Sequence, residues 1–511
     1  MHMRRGLWLL LLLGAWQIGT NIALAQTAPV SDAEILRLIK ERIEVQHRGI
    51  GIVFGVIDRS GSRIISYGQF AKGDPRPVNG DTVYEIGSIT KVFTSLLLAD
   101  MVQRGEVALD DPVSKYLPPQ VKVPQHDGKS ITLIDLSTHT SGLPRMPTNF
   151  APANPANPFA DYTLEQMYQF LSGYTLPRKV GSQFEYSNLG AALLGVALDR
   201  KARLDYESLV RARVTGPLGM SDTRIALTPG MQSRLAPGHD ASLVPVPNWD
   251  VPAFAAAGAL RSTANDLLKF IAAELGFSKS PLLPAMKAML TVRRPTGANR
   301  ADVALAWQVR TLNDKEIFWH NGGTGGYRTF IGFDPKAGVG VVGLSNVVGL
   351  QGVDDIGTHV LDPAAPVVTP PVEAAQIALD PKVLEGYVGN YQLAPGFFLA
   401  VTREAGQLYV QATNQGRDEI FASGEREFFS RRVNAQITFQ ADASGRASAL
   451  VLHQNGRDMP APRIEGDLPK PAEHKEIAVD AQLTFETDAA GKATKVTLHQ
   501  NGRDMPAPRK Q

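Results

Sequence analysis

Apolar residues recur along this chain with two different periods. Ile35, Leu38, Ile39 and Ile43 follow Ser31 at steps of three and four, so a helix capped by Ser31 is expected there. Residues 50–57 and 63–67 read instead as strands, joined into a hairpin at Ser60-Gly61. A helix from about Ser88 to Gln103 follows, with Gly105 placed to end it. From there to about residue 275, helical patterning alternates with long Pro- and Gly-rich loops, and strand-like runs return at 316–320, 328–333 and 338–344. Strands at both ends with helices between predict an α/β sandwich, one antiparallel sheet flanked by helices and carrying a helical insertion.

The pattern changes after residue 361. Pro363, Pro366, Pro370 and Pro371 forbid helix, so 362–378 is expected to be a linker. Beyond it come seven short strand-like runs (387–393, 397–403, 407–412, 418–422, 427–430, 436–440, 448–453), separated by turn signals such as Ala405-Gly406 and Ser444-Gly445. They predict a small all-β barrel or sandwich over 379–465. The sequence His453 to Arg463 recurs unchanged as His499 to Arg509, 46 residues on, and 433–439 resembles 479–485. Two copies are too few for a solenoid, so 466–511 reads as a duplicated terminal hairpin without assigned chemistry.

At the other end, Arg4 and Arg5 precede the apolar run 7–13, and Ala23-Leu24-Ala25 offers a cleavage site before Gln26. Residues 1–25 are therefore expected to be a signal peptide, leaving an α/β domain over 26–361 in a periplasmic or secreted protein. The run is too short to span a bilayer, and no later stretch is long and apolar enough. Of the 511 residues, 43% are hydrophobic and 20% charged, which excludes disorder for most of the chain. The formal charge of +2 resides in Arg4 and Arg5, so the processed chain carries 2 − 2 = 0. That balance argues against nucleic acid or an anionic membrane as partner. With no Cys, thiol catalysis and disulfides are excluded.

Three short motifs carry candidate chemistry. In Ser88-Ile89-Thr90-Lys91 the first and last residues share a helical face, so an amine can reach a hydroxyl. A serine needs such a base to become nucleophilic, and its own N–H at a helix start is free for an oxyanion. Ser-x-x-Lys alone occurs on the order of once by chance in a chain this long, and a plain N-cap is the competing reading of Ser88. Tyr186-Ser187-Asn188 precedes an Ala- and Leu-rich helix. A lysine beside Tyr186 would lower the phenol's pKa and make it a proton carrier, while the Asn188 amide would orient a substrate carbonyl and the lysine; a buried turn tyrosine is the alternative. In His320-Asn321-Gly322-Gly323-Thr324-Gly325-Gly326, the glycines admit a ligand close to the backbone, unless this is a glycine-rich hairpin with a solvated histidine. Walker, Gly-x-Ser-x-Gly and His-Glu-x-x-His patterns are all missing.

Taken together, Tyr84-Glu-Ile-Gly-Ser-Ile-Thr-Lys91, Tyr186-x-Asn188 and His320-x-Gly322 resemble the three signatures of the class C β-lactamases and penicillin-recognising serine peptidases, in that family's order. The stretches 131–144 (Ile-Thr-Leu-Ile-Asp-Leu-Ser-Thr-His-Thr-Ser-Gly-Leu-Pro), 257–267 and 342–346 read like the same family, and the β domain resembles the lipocalin-like appendage of some members. The resemblance implies that Ser88 is acylated, that Lys91 and Tyr186 share a proton shuttle, and that Asn188, His320 and Gly322 contact substrate. It further implies an oxyanion hole from the nitrogens of Ser88 and Gly323, and hydrolysis of a small-molecule or peptide substrate without metal or cofactor.

One position departs from the β-lactamase pattern: His320 stands where lysine is usual. A neutral imidazole holds a substrate carboxylate less strongly than an ammonium. The expected activity is therefore a peptidase or amidase, with a class C-like β-lactamase, a carboxylesterase of the same fold, or a penicillin-binding sensor without turnover as alternatives.

Overall fold

Strand β1 (Gly51–Asp58) is buried along nearly its whole length, and its two faces serve two different cores. Val53 and Ile57 face the larger cluster, while Ile52, Phe54 and Val56 face the smaller one. A continuous apolar run is what a strand covered on both sides requires. Its hairpin partner β2 (Gly61–Gly68) is half-exposed. The structure is a computed structural model. It describes residues 29–466 except 299, 313–314, 350–351, 369–375, 395–396, 405, 414–416, 431–434, 443 and 455–456, plus the backbone of Ala481–Thr487, Ala493–Gln500 and Arg503–Pro508. The expected leader 1–25 and residues 369–375 of the expected linker lie outside the described residues.

The remaining sheet strands come from the second half of the α/β region: β3 (Arg294–Pro295), β4 (Ala301–Val303), β5 (Gln308–Leu312), β6 (Lys315–Gly323), β7 (Arg328–Asp334) and β8 (Val339–Ser345). They form one antiparallel eight-stranded sheet in the order β2-β1-β8-β7-β6-β5-β4-β3. The α/β sandwich expected from the sequence is the fold observed. Strands β3 to β5 escape the sequence pattern because they are short and of mixed burial, at one end of the sheet.

One face of the sheet carries helix α1 (Asp32–Lys40) and the late helix Asp354–Leu361; Ser31 caps α1 by accepting from Glu34 N at 3.2 Å. The other face carries the helical body around α2 (Thr90–Gln103), in which Thr90 to Met101 are all buried. The α-helix starts at Thr90 rather than Ser88, because Gly87–Ile89 forms a tighter 3-10 turn. Gly105, with φ +68°, follows its end as expected.

Residues 389–464 form a separate closed barrel of eight antiparallel strands, with its own core. Asn390 pairs with Ile464 and Tyr391 with Arg463 to close it. The eighth strand, Arg457–Ile464, was not expected, because Pro460 and Pro462 break the strand pattern. Prolines two apart remove donors on one edge only, so the ladder to Ala447–Gln454 survives. The interior is filled by side chains: Tyr387 stacks on Phe439 with ring centroids 4.4 Å apart, among Leu399, Phe428 and Leu450.

The duplicated tail forms a three-stranded sheet rather than a hairpin. It pairs Ala481 with Gln500 and Gln500 with Arg503, repeating 46 residues later the barrel's Ala435–Gln454 and Gln454–Arg457 pairs.

A buried acid lies under the main sheet. Glu274 accepts from Trp307 Nε1 at 3.1 Å, its second oxygen has no partner among the described residues, and burial pushes its pKa up to about 8. The unfolded chain releases that proton near pH 4.5, so the stability cost grows from there and levels off above about 8. Glu274→Gln should stabilise by roughly 1–3 kcal/mol at pH 7 and by almost nothing at pH 4, measured as denaturant midpoints across that range.

Candidate active site

Ser88 sits on the 3-10 turn that leads into α2, and this turn is pressed against the end of β6. Gly87 has φ +50°, and a Cβ there would lie 2.8 Å from Gly323 N. At Gly322 a Cβ would come within 2.0 Å of Ile86 O, a carbonyl that also accepts from Thr329 Oγ1 at 3.0 Å. Both glycines are therefore needed for close approach of two backbones, which brings the main-chain nitrogen of Gly323 to the Ser88 turn. The glycine motif is not a free hairpin: His320 to Gly323 belong to β6, and the turn lies beyond them.

Lys91, one helical turn after Ser88, is 2% exposed. Its Nζ lies 2.8 Å from Ser88 Oγ and donates to Ala257 O at 2.7 Å. Burial first, and the nearby Arg145 charge second, hold its pKa well below the ordinary lysine value. A neutral amine keeps a lone pair for the Ser88 hydroxyl proton.

Tyr186 approaches from the loop before helix α3 (Asn188–Ala202), which is capped by Ser187. It shares a hydrogen bond with the Ser88 side chain, and Lys91 Nζ lies 5.0 Å from its ring centroid. The lysine does not make this phenol acidic. Burial raises its pKa, opposed by the Ser88 hydrogen bond and by Arg145 and Arg328, so Tyr186 stays protonated at neutral pH. The expected lowering fails because the lysine is itself desolvated toward its neutral form. Asn188 is the first residue of α3, with its amide nitrogen 3.7 Å from Met146 Sδ. The anchoring of Lys91 anticipated for Asn188 is supplied by the Ala257 carbonyl.

His320 is buried, 1% exposed, and not a solvated loop residue. Its Nδ1–H donates to Asn321 O at 2.6 Å, which leaves Nε2 as a bare acceptor without a partner among the described residues. Burial, then Lys91, hold its pKa down to about 3. Asp354 ties this strand end to the late helix by accepting from Asn321 Nδ2 at 2.6 Å and Arg328 Nε at 2.9 Å.

The structure thus brings Ser88, Lys91, Tyr186, His320 and Gly323 to one place. Sequence reasoning did not single out Ala257, His139, Arg145 or Arg328, although the first two lie in stretches with a family-like pattern. Arg145 is exposed, with its guanidinium 5.1 Å over the Tyr186 ring. Among the described residues there is no group of three or more His, Asp or Glu side chains that could hold a metal ion.

Comparison with known proteins follows the same outline. Residues 35–364 match the beta-lactamase family. The chain belongs to that family. Its penicillin-recognising serine hydrolases include relatives such as the D-alanyl-D-alanine-carboxypeptidase/endopeptidase AmpH of Escherichia coli K12, 30% identical over 336 residues, 63% of this chain and 86% of that one. Penicillin-binding protein 4* of Bacillus subtilis is 26% identical over 425 residues, covering 78% and 92%. A beta-lactamase/D-alanine carboxypeptidase from Yersinia pestis, solved with citrate, has a TM-score of 0.57 at 27% identity, covering 66% of this chain and 99% of that one. Residues 373–465 match a domain of unknown function, DUF3471. The chain is accordingly a serine hydrolase of the beta-lactamase and penicillin-binding-protein superfamily. No described helix is long and apolar enough to cross a membrane.

The two buried imidazoles beside Tyr186, His139 and His320, make acid stability a direct readout of the site. Both are held neutral in the fold, His320 down to about pH 3, whereas an unfolded histidine takes up its proton near 6.5. Stability is therefore expected to fall as pH drops below about 6.5, by up to about 1.4 kcal/mol per pH unit for each ring. Urea midpoints between pH 7 and 5 should decline less steeply in His320→Asn than in the native chain.

Proposed function

We propose that the chain is an exported hydrolase that cleaves an amide or peptide bond through an acyl-Ser88 ester. The observation that carries this reading is the buried Lys91 amine, 2.8 Å from Ser88 Oγ and anchored by Ala257. In this mechanism the Lys91 lone pair takes the hydroxyl proton as Ser88 Oγ attacks the substrate carbonyl carbon. The N–H groups of Ser88 and Gly323 receive the resulting oxyanion. Tyr186, protonated and hydrogen-bonded to Ser88, gives its proton to the departing amine nitrogen and is reprotonated from Lys91. Water then attacks the ester, returning a proton to the site and freeing Ser88. In this reading Asn188, His320 and Gly322 form the substrate-binding set, and no cofactor or metal is required.

A neutral His320 offers an acceptor where a lysine would offer a cation for a carboxylate, which favours amide bonds without an adjoining carboxylate, such as internal peptide bonds, over β-lactams. The endopeptidase activity named for the AmpH relative points in the same direction. Export rests on the leader 1–25, and cleavage would leave Gln26 as the first residue. The remaining alternatives are a class C-like β-lactamase, a carboxylesterase, and a sensor that is acylated without turnover.

A panel of D-Ala-terminated peptides, linear L-peptides, short esters and nitrocefin separates these readings. Fastest turnover is expected on a peptide, with loss of all turnover in Ser88→Ala and a fall of about 10²-fold or more in Tyr186→Phe. Intact mass after penicillin treatment should show an adduct that decays. A lasting adduct without turnover of any substrate would establish the sensor instead, and nitrocefin as the best substrate would establish the β-lactamase.

A further inference from the structure

The stretch Thr138-His139-Thr140-Ser141-Gly142-Leu143-Pro144-Arg145 has no place in the mechanism above, yet it runs beside the Tyr186 loop as a continuous template. Thr140 O accepts from Gly181 N at 2.8 Å and His139 O from Glu185 N at 2.7 Å. Pro144 O accepts from Ser187 Oγ at 2.7 Å, and Arg145 O from Asn188 N at 3.0 Å. His139 is the member of this strip whose side chain also takes part. Its Nδ1 accepts from Ser187 N at 3.2 Å. The main-chain N–H groups of the two residues flanking Tyr186, Glu185 and Ser187, are thus both bound by one residue. The His139 ring lies 4.4 Å from the Tyr186 ring, tilted 34°, and the edge of Phe184 supports it at 5.9 Å.

Three further features set His139 apart from ordinary loop packing. It adopts φ +56°, a left-handed conformation uncommon for a side chain of this size. It is 2% exposed, and its burial first, with basic groups such as Arg145 nearby, keeps it neutral. Because Nδ1 accepts, the proton sits on Nε2, and that buried N–H has no partner among the described residues. Backbone strain and an unsatisfied donor both cost stability, so the site retains this histidine against its local stability.

We propose that His139 is the positioning residue for Tyr186, holding the phenol at Ser88 through the peptide N–H groups of Glu185 and Ser187 and through ring contact. The proposal rests on the role given to Tyr186 in the proposed hydrolysis. It explains how a tyrosine on a loop, its phenol hydrogen-bonded to Ser88, keeps the alignment that proton transfer needs. Shifts well under 1 Å matter at such a distance.

Asparagine tolerates the left-handed backbone and presents an acceptor close to the position of Nδ1, whereas alanine offers neither. In the full-length chain, His139→Ala is expected to lower kcat by about 30- to 100-fold with KM within about threefold, and His139→Asn to recover at least tenfold of that loss. In a Tyr186→Phe background, His139→Ala should cost less than about threefold more, because its effect passes through the phenol. Amide exchange at Ser187 should speed up in His139→Ala while that at Gly181 is unchanged.

Equal losses from His139→Ala in both backgrounds, or an Asn variant no better than Ala, would overturn the proposal. Should the Ala variant fail to fold, the same cycle with His139→Asn decides the matter, since it must still lose the ring contact and still be silent in Tyr186→Phe. If Tyr186→Phe alone turned over at the native rate, the hydrolytic mechanism would fail, and unchanged Ser187 exchange would be needed to overturn the hold of His139 as well.

Discussion

The arrangement depends on an amine that has been taken out of water. An ammonium at the position of Lys91 would be buried beside the Arg145 charge, with the Ala257 carbonyl and the Ser88 hydroxyl to stabilise it. The cheapest response is to lose the proton, and the amine so formed is a base aimed at Ser88 from 2.8 Å. The same desolvation acts on Tyr186 with opposite chemical effect, keeping the phenol protonated. Burial alone therefore sorts two adjacent groups into a base and an acid.

This sorting requires that no carboxylate come near. The charges that bear on Lys91, His139, His320 and Tyr186 are all those of basic residues. Asp354 is instead occupied with Asn321 and Arg328, where it fastens the strand end to the late helix. A site poor in negative charge and lined with donors suits a carbonyl that becomes an oxyanion.

Backbone proximity is the second constraint. The Ser88 turn meets β6 so closely that Gly87 and Gly322 have no room for a methyl group. Two rigid pieces, the start of a buried helix and the end of a central strand, thereby fix the distance between the Ser88 turn and the main-chain nitrogen of Gly323. The Tyr186 loop lacks such a support of its own, and the strip from His139 to Arg145 provides it.

Much of this was legible in the chain order of residues. The spacing of Ser88 and Lys91 on one helical face, the cap at Ser31, the hairpin at Gly61 and the succession of sandwich then barrel follow from local periodicity, which depends only on near neighbours in sequence. The barrel's eighth strand escaped because its prolines oppose strand formation locally, and only pairing on both sides identifies it. Whether His320 was solvated or buried, whether the Tyr186 phenol became more or less acidic, and that Ala257 rather than Asn188 holds Lys91 were decided by tertiary structure alone. The physical reason is that desolvation and through-space charge depend on what covers a group, and the covering residues here lie tens to hundreds of positions away in the chain.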